Sequence, residues 1–375
     1  MSRAATGAVG LLTELVRADT VAAGEGTLAR SCADLLSEAG HAVTLVPWEE
    51  GREQLVARAG DQTAPLTFTG HLDTVPADAA DWAVDPWGAQ RDGDKVVGRG
   101  TSDMKSGVAA AVVAATRHAG TPHRCRGVQI VLTAGEETGC TGARQIPREE
   151  VATGGPLVVA EPTANRLVLG HKGALWLRLS AVGRAAHGSA PELGDNAVVR
   201  LARAAVALHD HDRWPRDDRF GPVTANVGRL RGGVQPNVVP DAAELLLDLR
   251  TVPGCDLDRL RAEVAELAGP GVRLADHVVL PVVDTAPQEP LVALARESLA
   301  ACGLPDAPQP PARFFTDASV LAELLAGDAA PAPTVVLGPG EPDQCHVVDE
   351  WCSAARVEAA VEVYRAVLDR WCARH

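Results

Sequence analysis

LTFTGHLDTVP, residues 66–76, decides the architecture: an apolar and β-branched run, Leu66 to Thr69, gives way at Gly70 to a polar cluster holding His71 and Asp73. The run lacks the apolar–polar alternation of a strand with one wet face and reads as a strand covered on both sides. The polar cluster begins where that strand should end, and open α/β sheets keep their chemistry at this edge. The same grammar recurs: Val128 to Thr133 runs into TAGEETG at 133–139, and Leu157 to Ala160 into AEPT at 160–163. Between the first strand and these, GRGTSDMKSG at 98–107 leads into a helix predicted over Ser106 to His118. Upstream, Leu11, Leu12, Leu15 and Val16, then Ala29, Cys32, Leu35 and Leu36, form helical stripes before β-like stretches at His41 to Val46 and Gln54 to Arg58. Helix and strand in this order predict an α/β class.

From Ala174 the texture changes. Leu175, Leu177 and Leu179 alternate with Trp176, Arg178 and Ser180, and strands are expected at Thr224 to Leu230, Glu244 to Arg250 and Val272 to Val279. Helices at Asn196 to Leu208 and Leu257 to Leu267 complete a small antiparallel α+β block. Beyond it a strand at Val335 to Leu337 and a closing helix at Ser353 to Cys372 return to the first texture, with Ala329 to Pro333 as a short loop. The block at 174–282 therefore reads as an insertion into a domain formed by 1–173 and 283–375.

A chain of 375 residues with 46% apolar content has material for two cores. A net charge of −14 argues against nucleic acid or an anionic membrane as partner and favours small molecules or peptides. Glu14 and Arg17 interrupt the N-terminal apolar stretch before it reaches signal-peptide length, and no later run approaches a membrane span. Cys32, Cys125, Cys140, Cys255, Cys302, Cys345, Cys352 and Cys372 are scattered without a CxxC pair, as reduced thiols are. A soluble, cytoplasmic protein is expected.

His71 and Asp73, two residues apart in an extended segment, project to one side, where one can bind a metal and the other orient it. Alone, the pair reads as readily as a solvated loop, and Asp103, ahead of its helix, as a cap or turn residue. Glu136 and Glu137 stand side by side, an arrangement that repels itself unless a cation or a shared proton intervenes. Glu161 precedes Pro162 at a strand exit, and CHVVDE at 345–350 contributes His346. Taken together, three carboxylates and two imidazoles form a nitrogen and oxygen donor set suited to zinc, sufficient for two ions if one carboxylate bridges. Two such ions activate water and polarise a carbonyl, which is hydrolase chemistry.

With these motifs in place, the sequence resembles, essentially end to end, the zinc-dependent amidohydrolases and carboxypeptidases that include acetylornithine deacetylase, succinyl-diaminopimelate desuccinylase, aminoacylase and glutamate carboxypeptidase. The resemblance implies a catalytic domain with a mixed sheet flanked by helices, of zinc-peptidase type, and an inserted α+β dimerisation or lid domain. It implies that His71 and Glu161 hold one zinc, that His346 and Glu137 hold the other, and that Asp103 bridges them with a cis peptide to Met104. Asp73 then orients His71, and Glu136 is the general base. GRAAHGSAPELGDNAV at 183–198 resembles the family's dimerisation motif, which makes His187 a catalytic group acting in trans within a homodimer. QPNVVPDAAELLLDLR at 235–250 places Asn237 and Arg250 on substrate, an arginine fork suiting a carboxylate.

FFTDASVL at 314–321 departs from the more familiar members, which carry glycines before the TD or SD pair. Phe314 and Phe315 read as core packing before a helix, the alternative being that they narrow a pocket beside Thr316 and Asp317, and Thr316 is a substrate-binding candidate. With LGPGEPDQCHVVDE at 337–350 the segment looks closest to acetylornithine-deacetylase-like members. Cys345 reads as a neighbour of the ligand His346, not a ligand. The expected function is hydrolysis of an N-acyl amino acid with two zinc ions, cobalt or manganese being possible substitutes. A dipeptidase or glutamate-carboxypeptidase-like activity on short peptides is the alternative, and a non-catalytic metal-bound binding protein a third.

Overall fold

The computed structural model describes residues 7–119, 126–327 and 330–373; Cys125, and Ala329 at the start of the Ala/Pro loop, lie outside them. The chain divides into two compact units, one formed by Met1–Gly170, Val283–Pro310 and Thr316–His375, the other by His171–Val282 with Pro311–Phe315. The second unit thus begins three residues before the expected Ala174 and gathers a short later segment containing Phe315.

The first unit is built on a six-stranded mixed sheet in the order Ala42–Glu49, Arg52–Ala59, Val128–Thr133, Leu66–His71, Leu157–Val159, Thr334–Val336. The first two pairings are antiparallel and the other three parallel. Every residue of Leu66–His71 and of Val128–Thr133 is buried, which is why neither run alternates. One face, with Leu66, Phe68, Ile130, Leu132 and Val158, packs into a core shared with the helices Ala8–Val16, Glu25–Glu38, Ser106–Ala119, Pro290–Ala301 and Ala354–Ala373. Tyr364 from the last of these sets its ring centroid 5.0 Å from that of Phe68.

Parallel pairing also aligns the strand ends. His71 is paired with Thr133, three residues before Glu136, and Thr69 with Val159, two residues before Glu161. The loops that carry the polar motifs therefore leave the sheet at one edge. The helix Ser106–Ala119 is alanine-rich and buried along most of its length, and it rests directly on the third strand exit. A Cβ on Gly107 would stand 1.9 Å from the carbonyl oxygen of Ala160, so only glycine permits this contact. Gly107→Ala is expected to cost about 1–3 kcal/mol through overpacking. A lowered urea midpoint would show it, and an unchanged midpoint would remove the close-contact argument.

The second unit is a four-stranded antiparallel sheet in the order Thr224–Gly232, Ala242–Thr251, Gly173–Val182, Val272–Leu280, covered by the helices Ala197–Asp210 and Leu257–Ala268. Here alternation is clean because only one face is packed. Leu175, Leu177, Leu179, Leu245, Leu247 and Leu249 meet Leu201, Leu208, Leu260 and Val264 of the helices. Asn196 and Asp256 cap the two helices by accepting backbone N–H bonds in the first turn. Phe315, read from sequence as packing before a helix, lies edge-on to Trp176 of this sheet at 5.8 Å. Among the described residues no helix is long and apolar enough to cross a membrane.

Candidate metal centre

His71 ends its strand with its ring buried. Its Nδ1 lies 3.0 Å from the backbone carbonyl of Asp73, and since a carbonyl only accepts, the neutral ring carries its proton there. Nε2 is left facing Asp103 Oδ1 at 3.1 Å and Glu161 Oε1 at 3.9 Å. The other oxygen of Asp103, Oδ2, is 3.3 Å from His346 Nε2, which also lies 3.1 Å from Glu137. Two groups of three result, His71–Asp103–Glu161 and Asp103–Glu137–His346, each with ligand atoms within 4.8 Å of one another. One carboxylate is common to both. His71 and Glu161 are buried and Asp103 is partly so, whereas the His346 side chain is 52% exposed, so the pair grades from the interior to solvent.

Asp103 lies in an irregular turn, and its peptide to Met104 is cis, as the resemblance implies. His346 adopts a left-handed backbone at φ 63°, a conformation that histidine tolerates better than most residues. The Asp73 carboxylate has a second set of neighbours. Its Oδ1 is 3.6 Å from His71 Nδ1, while the two carboxylate oxygens accept the backbone N–H groups of Glu136 and Glu137 at 3.1 Å each. Asp73 thus holds the imidazole through its backbone carbonyl and both glutamates through its carboxylate. Glu136 is buried and belongs to neither group of three, leaving its carboxylate free of the ligand set.

The electrostatics report an excess of inward-facing negative charge. Burial raises the Glu136 pKa, Glu161, Glu137 and Asp317 adding to it against the pull of His71. Glu161 is raised by burial and by Asp103, and Glu137 by burial despite the hydrogen bond to His346. Burial opposes charge on Asp103 too, but the bonds from His346 and His71 hold it well below the usual carboxylate range. Burial weighs against a charged His71, yet Asp103, Glu161 and Asp73 lift it well above 6.5, and hydrogen bonds to Asp103 and Glu137 raise His346 to about 10. Nitrogen and oxygen donors alone, two imidazoles with three carboxylates, fit a pair of divalent cations. Cys345 is in neither group: its thiol donates to the Glu341 carbonyl at 3.8 Å, and burial pushes its pKa up.

His187, Asn237 and Arg250 belong to the second unit. His187 is exposed, and its Nδ1 accepts the backbone N–H of Ser189 at 3.1 Å, which puts the proton of a neutral ring on Nε2. It bridges to Val238, beside Asn237. Arg250 pairs with Asp248 at 3.0 Å and lies over the Phe315 ring at 4.7 Å. Thr316, in the first unit, is fully buried, and its hydroxyl oxygen accepts the N–H of Ala318 at 3.1 Å at the start of the helix Ala318–Leu324. Sequence reading gave no site role to Asp317, whose carboxylate accepts the Thr133 hydroxyl at 2.5 Å, with burial raising its pKa to about 6. It gave none to Glu350 either, although the motif at 345–350 ends on it. No periodicity marks either residue.

A model of peptidase family M20/M25/M40 matches residues 67–370. An acetylornithine deacetylase of Proteus mirabilis is 30% identical over 87% of this chain and 84% of its own length. One of Vibrio atlanticus is 28% identical over 91% and 90%. Among solved structures, an M20 family metallo-carboxypeptidase of Sulfolobus solfataricus shares the fold with a TM-score of 0.77, at 18% identity over 95% of this chain and 97% of that one. A Bacillus subtilis protein described as a dinuclear metal binding peptidase from the M20 family shares it at 0.70, with 12% identity over 97% of each. The family match spans most of the chain, both units included, and the chain belongs to peptidase family M20/M25/M40 and is a hydrolase of amide bonds.

Proposed function

We propose that the chain is a dizinc deacylase that releases an acyl group from an N-acyl amino acid, with cobalt or manganese able to replace zinc. The observation that carries this reading is the Asp103 carboxylate shared by two ligand groups, with Glu136 buried beside them and outside both. His71 and Glu161 would hold one ion, Glu137 and His346 the other, and Asp103 both. When bound, the two cations supply Lewis acidity to a water molecule and to the amide carbonyl. Glu136 takes the proton from the attacking water and returns it to the leaving amine. Asp73 holds that base in place through the backbone N–H groups of Glu136 and Glu137.

The substrate class rests on the deacetylase relatives and on Arg250, whose fork suits the carboxylate of the amino-acid half. Asn237 and Thr316 are assigned to substrate with it. We assign the inserted unit to dimerisation and His187 to the partner's active site, donating from Nε2 to the oxyanion. Support comes from Val199 and Val206, 42% and 59% exposed on the helix Ala197–Asp210, and from the edge strand Thr224–Gly232. The seven described cysteines are free, which suits a reducing cytoplasm.

The deciding experiment is a panel of N-acetyl and N-succinyl amino acids set against dipeptides, with zinc supplied. Turnover of the N-acyl amino acids alone is expected. Hydrolysis confined to dipeptides would replace the reading with a dipeptidase, and metal uptake without any turnover would point to a binding protein. Catalysis in trans has its own test: His187→Ala and Glu136→Ala chains, each inactive, are mixed. Random pairing restores about a quarter of the sites, because half the dimers then carry one intact site. Mixed dimers without activity would refute the exchange.

A further inference from the structure

We infer that Glu350 is a positioning residue that sets the bridging carboxylate of Asp103 and locks it to the segment carrying His346; the inference rests on the metal-site reading above. Glu350 is fully buried and its two oxygens accept four hydrogen bonds. Oε2 receives Arg99 Nη1 at 2.8 Å and the N–H of Gly100 at 2.9 Å. Oε1 receives the N–H of Ser102 at 2.7 Å and that of Asp103 itself at 3.1 Å. The turn that presents Asp103 thus takes its order from a carboxylate about 250 residues away in sequence, where a regular element would have used its own carbonyls.

The backbone around Glu350 doubles the connection. Its carbonyl accepts the N–H of Gly98 at 2.8 Å, and Trp351–Ser353 pairs antiparallel with Lys95–Val97. Ser102 Oγ donates to the Trp351 carbonyl at 2.7 Å and accepts the N–H of Glu341 at 2.9 Å. The segment from 341 to 351, which contains His346, and the turn containing Asp103 are therefore fastened at both ends, with Glu350 the only charged side chain in the fastening that touches the Asp103 backbone among the described residues. Carboxylates and backbone groups that hold a metal ligand from behind commonly control affinity by about 10–100-fold. Such a residue would show itself in metal binding before it shows itself in the fold.

The test titrates metal-stripped protein with Zn2+ by calorimetry and records the visible spectrum of the Co2+-loaded form. Glu350→Gln keeps the shape but turns one acceptor oxygen into a donor facing two N–H groups. It is expected to weaken binding of both ions about 10–100-fold and to alter the Co2+ spectrum, with the circular dichroism of the wild type. Glu350→Asp, which keeps the charge, should recover part of the affinity. Tyr364→Phe, which removes the buried hydroxyl bond to the Leu337 carbonyl and touches neither ligand, should bind metal as the wild type does. Wild-type affinity and spectrum in folded Glu350→Gln would overturn the inference, as would a loss of the same size in Tyr364→Phe. Should Glu350→Gln fail to fold, Glu350→Asp decides: weakened binding supports the role and wild-type binding overturns it. A wild-type protein that takes up no zinc, and that Asp103→Ala does not change, would instead sink the metal reading.

Discussion

Glu136→Gln is expected to lower kcat by about 10²–10⁴-fold, roughly 3–5 kcal/mol in the activation barrier, while both metal ions stay bound. The asymmetry follows from position. Glu136 lies next to Glu137 in the chain, yet only Glu137 enters a ligand group, and the Asp73 carboxylate fixes the backbone of both. Amide replacement therefore removes the proton acceptor without loosening the ligand. KM should change little, because the loss concerns proton transfer in the transition state and not substrate binding. Metal analysis after gel filtration and steady-state kinetics on a confirmed substrate provide the check. A variant with near wild-type kcat would move the base elsewhere, and one that lost metal would make Glu136 a ligand.

Asp103→Ala has the opposite signature and should empty both sites at once. Without it His71 keeps only Glu161, and His346 only Glu137; two protein ligands fall short of the three that even an open zinc site retains. Glu161→Ala and His346→Ala each strike one group, so their expected stoichiometry is one ion per chain instead of none. Inductively coupled plasma analysis of the three variants, prepared in parallel, distinguishes these outcomes. One ion retained by Asp103→Ala would show that the carboxylate serves a single ion.

The sheet and the cluster of polar side chains gathered at its strand ends were both legible in the sequence, for a physical reason. Buried parallel strands write themselves as short apolar runs, and a polar residue at their ends has to have a purpose, so Leu66 to Thr69, Val128 to Thr133 and Leu157 to Ala160 led to His71, Glu136, Glu137 and Glu161. The alternation of Leu175, Leu177 and Leu179 announced the second sheet in the same way. What stayed hidden depends on contacts between distant loops. Nothing local to Asp73 shows that its carboxylate reaches the N–H groups of Glu136 and Glu137. Nothing in CHVVDE separates the histidine that faces Glu137 from the glutamate that gathers the Asp103 turn. The left-handed backbone at His346 is set by its loop, not by its residue type. Phe315, read as core before a helix, is buried there, but nothing local shows that its partner is Trp176 of the second unit's sheet, because its segment is gathered into that unit.

The interrupted course of the first unit has a consequence for the order in which the protein comes off the ribosome. Residues up to 161 already supply His71, Asp103 and Glu161, so one candidate ligand group is available early in synthesis. The other waits for His346, and the outermost parallel strand, Thr334–Val336, for a segment translated after the entire inserted unit. The nascent chain must therefore keep an open sheet edge and an incomplete acidic pocket while more than a hundred residues are made and folded in between. Completion of the fold and completion of the proposed metal centre are the same late event, and a chain truncated before residue 346 can have neither.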